Sequence, residues 1–529
     1  MKNQFLQAVN KYDVYTENGA VSNSTSGSSL VDYFAKCGTY RDREDREIRA
    51  DLSAIWAESP MVALQMMFYN RMITRKISGM ATTTQVQKGQ GNKSEFRKSM
   101  IWLSKNHPDV FRKNLWLIPV VGCWKDLWHE ECLPHFSRPD VFDLIEQGMQ
   151  EPYNRDLLSK FLPKIRSKRN THTDRHRQLN DWARALCTRF GWTEKDYRRF
   201  KSSGKAHQFQ QNMSAGLWDN IDFGRIPGKA LFTLVNHRDK KDKLTTIERH
   251  GLEKKYLAWI EKQPVAKFTG YVYELYQAYR KTPASQTQKH TLNKQFEGLL
   301  ELARKDKKGL NGNVWCALDT SASMSCLVPG SKNSLTALDV CISLGIYFSA
   351  LNTGSFKDHV IMFDHVSRKL KLKGTFTDRI DQVSRSQVGW GDTNFQSVID
   401  EIVRVRQQNP NIPVEEYPQT LLVVSDMQFN PTGNQKSNYD EAMSKLAAVG
   451  LPKMSIIWWH VIGRSKDVPS TIDDEGTTLI GGFDGAVVTL LLSGEQETTD
   501  AVTGQVRKLN PHEQMLRCLD QEILKQLKI

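Results

Sequence analysis

Cysteine is sparse in this 529-residue chain: eight residues, at 37, 123, 132, 187, 316, 326, 341 and 518, with no CxxC pair. That excludes a disulfide framework and a knuckle-type zinc site, and reduced thiols are expected. Long apolar runs are also missing. No stretch of about 18 uncharged apolar residues occurs, and the opening MKNQFLQAVNKYDVY lacks the apolar core and cleavage site of a secretory signal. A soluble, cytoplasmic monomer with no membrane segment is therefore expected. Catalytic patterns are scarce as well. Lys88–Lys93 (KGQGNK) has neither the spacing nor the Lys-Ser/Thr ending of a P-loop, and His172/His176 lack the Glu of a metalloprotease. Cys123, His129, Cys132 and His135 lie close together, but their spacing is unlike a zinc finger. No nucleophile–base pair stands out, so an enzyme is not expected.

Apolar residues make up 39% and charged residues 25%, ordinary globular usage with material for several cores. The charge is unevenly placed. Residues 1–310 hold 53 Lys+Arg against 34 Asp+Glu, and residues 311–529 hold 20 against 25, so the net +14 is a strongly cationic part joined to a mildly acidic one. Residues 151–210 alone hold 15 basic and 6 acidic residues. A solvated surface explains most basic stretches, but one sign of field over half a chain favours a polyanion, because neutralising phosphates releases counterions.

After a polar, Ser/Gly-rich opening, residues 45–310 read as short helices joined by brief turns. Ser59-Pro60 marks a helix start, and EFRKSMIWLSKNHP and PDVFRKNLWLIPVVG are short amphipathic helices ended by Pro or Gly. Paired short helices are the unit of an α-solenoid, although no strict sequence period is present. From residue 311 the pattern changes. NVWCALD, HVIMFD, QTLLVVSD and SIIWWHVIG are compact apolar runs, separated by the helical candidates LTALDVCISLGIYFSAL, NFQSVIDEIVRVRQQ and NYDEAMSKLAAV. Alternating buried strands and helices predict a parallel, doubly wound α/β sheet, which binds ligands beyond the carboxyl ends of its strands.

Oxygen donors cluster at three such ends: Asp319-Thr320-Ser321-Ala322-Ser323, Ser425-Asp426, and Gly391-Asp392-Thr393. Ser and Asp are common in turns, so DxSxS alone says little. Three pieces in order, each at a separate sheet element, point to a hard cation such as Mg²⁺.

These residues resemble the von Willebrand factor A domain with its metal-ion-dependent adhesion site, over about residues 311–494. The resemblance places Asp319, Ser321, Ser323, Thr393 and Asp426 in the metal shell, with an open position that accepts a partner's carboxylate. The loop here reads GWGDTNF, which leaves Asp392 as an alternative to Thr393. Within the helical half, CTRFGWTEKDYRRF resembles the signature of the TROVE module of Ro ribonucleoprotein autoantigens, through Arg189, Gly191, Trp192, Lys195, Asp196 and Arg199. GFDGAVV at Gly482–Val488 is a second echo, and VGCWKDLW and VVSDMQFN resemble a sister family of the same layout.

The resemblance implies a multidomain protein: an N-terminal polar segment (1–44), a HEAT-like helical array closed into a ring (45–310), a von Willebrand A domain (311–495) and a C-terminal helical tail (496–529). It also implies a non-enzymatic scaffold that grips single-stranded or small structured RNA, with Mg²⁺ in the A domain serving ring closure or partner capture. The alternative is a protein–protein adaptor whose metal site captures an acidic residue, without RNA. The family's rim arginine falls on Arg189, whereas a basic rim position falls on Ala185 and a rim histidine on Ser202; Arg184 and Lys201 are the neighbouring substitutes. The expected RNA-facing cations are Lys164, Arg166, Lys168, Arg169, Arg184, Arg189, Lys195, Arg198, Arg199, Lys201 and Lys205. Phe190, Trp192, Tyr197 and Phe200 interleave with them, as stacking platforms for bases or, more commonly in helical repeats, as core.

Overall fold

The computed structural model describes residues 12–39, 43–73, 75–77, 85–170, 172–204, 208–280, 284–304, 313–331, 334–386, 391–463, 467–485, 497–499 and 505–529. They fall into two compact units, Glu44–Ile221 with Gln521–Ile529, and Met1–Arg43 with Asp222–Asp520.

The first unit is helical. Its main helices are Asp45–Glu58, Pro60–Arg71, Lys93–Asn106, Arg138–Gln150, Pro152–Phe161, Asp174–Arg189 and Glu194–Ser203. Pro60 opens its helix as expected, but the Ser59 hydroxyl makes no capping hydrogen bond. The VGCWKDLW phrase supplies the core between helices. Trp124 and Trp128 are buried, and Gly148 lets helix Arg138–Gln150 approach Trp124 so closely that a Cβ there would lie 2.7 Å from the indole. The last residues of the chain close this unit: Asn114 Nδ2 donates to the Lys528 carbonyl at 2.6 Å, and Gln521 Nε2 to that of Lys88 at 2.9 Å.

The second unit is built on a six-stranded sheet. In chain order the strands are β1 (Val314–Asp319), β2 (His359–Phe363), β3 (Ser367–Lys371), β4 (Thr420–Ser425), β5 (Ser455–His460) and β6 (Thr477–Gly481). Their spatial order is β6-β5-β4-β1-β2-β3, all parallel except β3, which returns antiparallel to β2. This mostly parallel α/β sheet is the layout the apolar runs predict. β3 and β6 escape those runs: β3 is a half-exposed edge, SRKLK, and β6 has only Leu479 and Ile480 among Thr and Gly. The switch point lies between β1 and β4, where connections leave in opposite directions and the strand ends diverge into a crevice. Helix Ala337–Leu351 covers the sheet, with Gly345 seated on Leu318, where a Cβ would stand 2.4 Å from both methyls.

Packing does not divide at residue 311. The helices between 222 and 304 belong with the sheet: Phe296 stacks on Phe376 at 4.2 Å, Gln277 donates to Asp339 at 2.8 Å, and Tyr279 donates to Asp381 at 2.9 Å. The change of pattern at 311 is thus a change of element type within one packed unit. The opening segment joins that unit too. Helix Ser29–Lys36 buries Leu30, Val31 and Phe34, and its Ala35 carbonyl lies so close to Gly481 that a Cβ there would be 2.2 Å away.

Candidate metal centre and basic helical face

Asp319 ends β1 and is fully buried. One carboxylate oxygen accepts the Ser321 amide at 2.9 Å and the other the Ser425 hydroxyl at 2.5 Å. The Ser321 and Ser323 hydroxyls stand 3.1 Å apart, and Ser323 donates onward to Asp426. Asp426, just past β4, accepts the Gln428 amide at 3.1 Å. Met427 between them holds φ at +66°, a left-handed conformation costing a non-glycine residue roughly 1–2 kcal/mol, and this sharp turn sets the Asp426 carboxylate beside the DxSxS loop. Gly391 O accepts the Ala322 amide at 3.3 Å, which ties the third loop to the first. In that loop Thr393 is buried and Asp392 exposed, with His365 3.9 Å from its carboxylate. Of the two, only Thr393 is buried, with its hydroxyl 3.4 Å from Asn18 Nδ2.

Two buried carboxylates and the Ser321 and Ser323 hydroxyls converge, and among the described residues no Lys or Arg side chain pairs with Asp319 or Asp426. Burial pushes the Asp319 carboxyl up, and the like charge of Asp426 adds to it; burial pushes Asp426 up as well. A desolvated anionic pair without a basic partner is stabilised by a small dication with oxygen preference, so the donor set fits Mg²⁺. His460, at the end of β5, adds a support that the apolar context of Trp458 and Trp459 concealed. It is buried, hydrogen-bonds to the main chain at Asp426, and burial drives its pKa down, leaving a neutral ring.

The CTRFGWTEKD signature is a helix–turn–helix joint. Gly191 takes φ +62°, where a Cβ is disfavoured, and the Trp192 amide closes back on the Cys187 carbonyl at 2.9 Å. Thr193 and Asp196 then form a capping box, Thr193 Oγ1 accepting the Asp196 amide at 3.2 Å and Asp196 accepting the Thr193 amide at 3.1 Å. Tyr197 and Phe200 are buried, and Trp192 packs half-buried on Phe190 and Phe200. The aromatics are core, which leaves the cations outside.

Those cations sort into three groups. Lys164, Arg166, Arg169 and Lys195 are exposed and carry no side-chain ion pair among the described residues. The strand of loop bearing the first three is held from beneath by Asn180, whose amide accepts from the Arg166 N–H at 2.9 Å and donates to its carbonyl at 3.1 Å. Arg184, Arg189, Arg198 and Arg199 are exposed but paired: Arg184 and Arg198 share Glu194, Arg199 meets Asp196, and Arg189 sits between Asp143 at 3.0 Å and Glu146 at 3.2 Å. Surface pairs of this kind are worth less than about 1 kcal/mol; Arg184 also lies 4.0 Å from Asp181, so it faces two carboxylates as Arg189 does. Lys201 stands apart. Its ammonium donates to the carbonyls of Ser159, Lys160 and Leu162 at 2.9, 3.3 and 2.6 Å, closing the C-terminus of helix Pro152–Phe161. This corrects the expectation for Lys201, whose donors are spent inside the fold. The Lys168 side chain, Lys205 and the end of the Gly482–Val488 echo lie outside the described residues.

Two family models match the chain: a domain of unknown function, DUF2828, over residues 16–208, and a domain of unknown function, DUF7788, over residues 314–524. The chain is similar to the uncharacterized protein L728 of Acanthamoeba polyphaga mimivirus, 22% identical over 521 residues, which is 91% of this chain and 85% of that protein. Among solved structures it is similar to the Ro (RSR) protein of Deinococcus radiodurans, at 12% identity and a TM-score of 0.43, over 88% of this chain and 98% of that one.

Proposed function

We propose that this chain is a non-enzymatic RNA-binding scaffold whose helical unit engages single-stranded or small structured RNA and whose sheet unit holds Mg²⁺ for capture of a carboxylate. The observation that carries the RNA reading is the sorting of side chains at Lys164–Lys201. Aromatics turn inward, while Lys164, Arg166, Arg169 and Lys195 project outward unpaired, in the stretch where basic residues outnumber acidic ones most strongly. Such a surface binds phosphates through counterion release with little demand on sequence. The TROVE resemblance of CTRFGWTEKDYRRF points the same way. Binding of a short single-stranded RNA across a salt series tests this: affinity falls steeply with salt, and absence of binding at about 50 mM salt removes the proposal.

The convergence of Asp319, Ser321, Ser323 and Asp426, with Thr393 buried in the loop whose Gly391 carbonyl accepts the Ala322 amide, supports the metal part. Bound there, Mg²⁺ supplies an electrophilic position for a carboxylate oxygen; Asp319 and Asp426 balance its charge, and the hydroxyls of Ser321, Ser323 and Thr393 complete the donor set. Asp319→Ala removes Mg²⁺ uptake in calorimetry and leaves RNA affinity unchanged. A protein adaptor without RNA function keeps the first property and lacks any salt-dependent RNA binding.

A further inference from the structure

The sheet carries a small apolar hollow far from the carboxylate–hydroxyl cluster, near the start of β1. Side chains alternate across a strand. Leu318 meets Gly345 of helix Ala337–Leu351, so Trp315 turns to the opposite face, where helix Gln396–Gln408 lies. That helix stops short, and residues 409–418 double back to enter β4. The space left beneath has a volume of about 230 Å³, with Trp315, Phe356, Ile402, Val405, Ile412 and Pro418 as its apolar lining. Its wall is pinned. Arg406 Nη1 donates to the carbonyls of Pro410 and Ile412 at 2.9 and 3.0 Å, and its guanidinium stands 5.8 Å from the centre of the Tyr417 ring. Asn313 Nδ2 donates to the carbonyls of Glu415 and Tyr417 at 2.7 and 3.3 Å. The hollow is therefore preformed, and a ligand entering it has no loop to order.

Four polar side chains complete the lining: Lys369, Glu401, Glu416 and Tyr417. Lys369 is paired with Glu401, which also holds Arg404 at 2.7 Å. An anionic ligand therefore finds no unengaged cation there. The other two are unengaged. The Tyr417 hydroxyl is buried without a hydrogen-bond partner, a costly state for a polar group, and the exposed Glu416 carboxylate makes no ion pair or hydrogen bond among the described residues. We infer that this hollow binds a small aromatic amine: a flat ring bearing an N–H sits against Trp315 and Phe356, and a cationic arm reaches Glu416. The size fits, since a cavity of roughly 150 Å³ encloses one benzene ring and this one has room for two fused rings. The polarity fits as well. A carboxylate only accepts hydrogen bonds and a phenol oxygen also accepts, so a ligand with two separate N–H donors satisfies both groups. This site is independent of the RNA and Mg²⁺ readings.

The test titrates the full chain with tryptamine and with indole-3-propionate, which carries the same ring and the opposite charge, using saturation-transfer NMR and calorimetry at about 0.1 M salt. Tryptamine is expected to bind and indole-3-propionate to bind several-fold more weakly. Glu416→Gln should weaken tryptamine about threefold and bring the two ligands closer together; Tyr417→Phe should weaken it by a similar factor. Neither side chain's polar group bonds within the protein, so both variants keep the thermal midpoint, and any loss of binding is not a loss of fold. Ile412→Trp, which fills the hollow from the loop side, should abolish binding of both ligands. The inference is overturned if tryptamine fails to bind at about 5 mM or if indole-3-propionate binds as tightly. It is equally overturned if any of the three variants binds tryptamine as the unchanged protein does.

Discussion

Arg71 and Asp126 form an ion pair at 2.8 Å inside the helical unit, with side chains 3% and 1% exposed. Arg97 shares the same carboxylate at 2.9 Å, and the Asp126 carboxylate also caps its own turn by accepting the Cys123 amide at 3.1 Å. One acid thereby joins helices Pro60–Arg71 and Lys93–Asn106 to the VGCWKDLW turn. Asp126→Asn is nearly isosteric but strands two guanidinium groups, one of them fully buried. Removing one partner of a buried pair costs roughly 3–5 kcal/mol. Urea denaturation at pH 7, followed by the fluorescence of the adjacent Trp124 and Trp128, should show a loss of that size.

The same carboxylate predicts a pH dependence. Burial alone would raise its pKa, but Arg71 and then Arg97 hold it below the usual carboxylate range. A group whose folded pKa lies below its unfolded value, about 3.9 for Asp, stabilises the fold fully above that value and loses the contribution as pH falls through the folded pKa. The stability gap between the unchanged protein and Asp126→Asn should therefore be constant from pH 7 to about pH 5 and narrow progressively as pH falls below about pH 4. A gap that is as large at pH 2.5 as at pH 5 would contradict the assignment.

Gly481 at the end of β6 tests the placement of the opening helix. A Cβ there would sit 2.2 Å from the Ala35 carbonyl and 3.2 Å from that of His460, both main-chain groups that cannot rotate aside. Gly481→Ala must push helix Ser29–Lys36 off the sheet or distort the strand, at roughly 1–3 kcal/mol. Cys37, fully buried just past that helix, is the reporter. Its reaction with a thiol reagent should accelerate in Gly481→Ala, with the other buried cysteines of the unit unchanged.

The strands and the carboxylate–hydroxyl cluster were legible because both are local signals. A buried parallel strand is a continuous apolar run, and the polar turn follows it directly, so Asp319, Ser321, Ser323 and Asp426 could be located from short words. That Thr393 is buried and its neighbour Asp392 exposed needed the fold, since adjacent residues of a loop differ only in which way the backbone turns them. Asn18 and His460 were illegible for another reason: Asn18 donates to the Gln428 carbonyl across 410 residues of chain, and His460 sits in a word whose tryptophans declare only burial. Lys201 shows the limit of counting charge. In YRRFKSS it looks like its neighbours, and only the end of helix Pro152–Phe161 explains why it points inward.

Lys201 and the unpaired cations should accordingly respond in opposite ways to substitution. Replacing Arg166, Arg169 and Lys195 by Glu changes no hydrogen bond made by their side chains, so stability should shift by no more than about 0.5 kcal/mol. If each meets one phosphate, the slope of log affinity for single-stranded RNA against log salt should flatten by about 2, at 0.7 per contact. Lys201→Met keeps the aliphatic stem and removes three charge-assisted hydrogen bonds to helix-terminal carbonyls, a loss of roughly 1–2 kcal/mol. Its salt slope should match that of the unchanged protein, because an ammonium enclosed by Ser159, Lys160 and Leu162 releases no counterion when RNA arrives. A flattened slope in Lys201→Met with unchanged stability would mean that the ammonium leaves those carbonyls for phosphate, and the division of the basic face drawn here would be reversed.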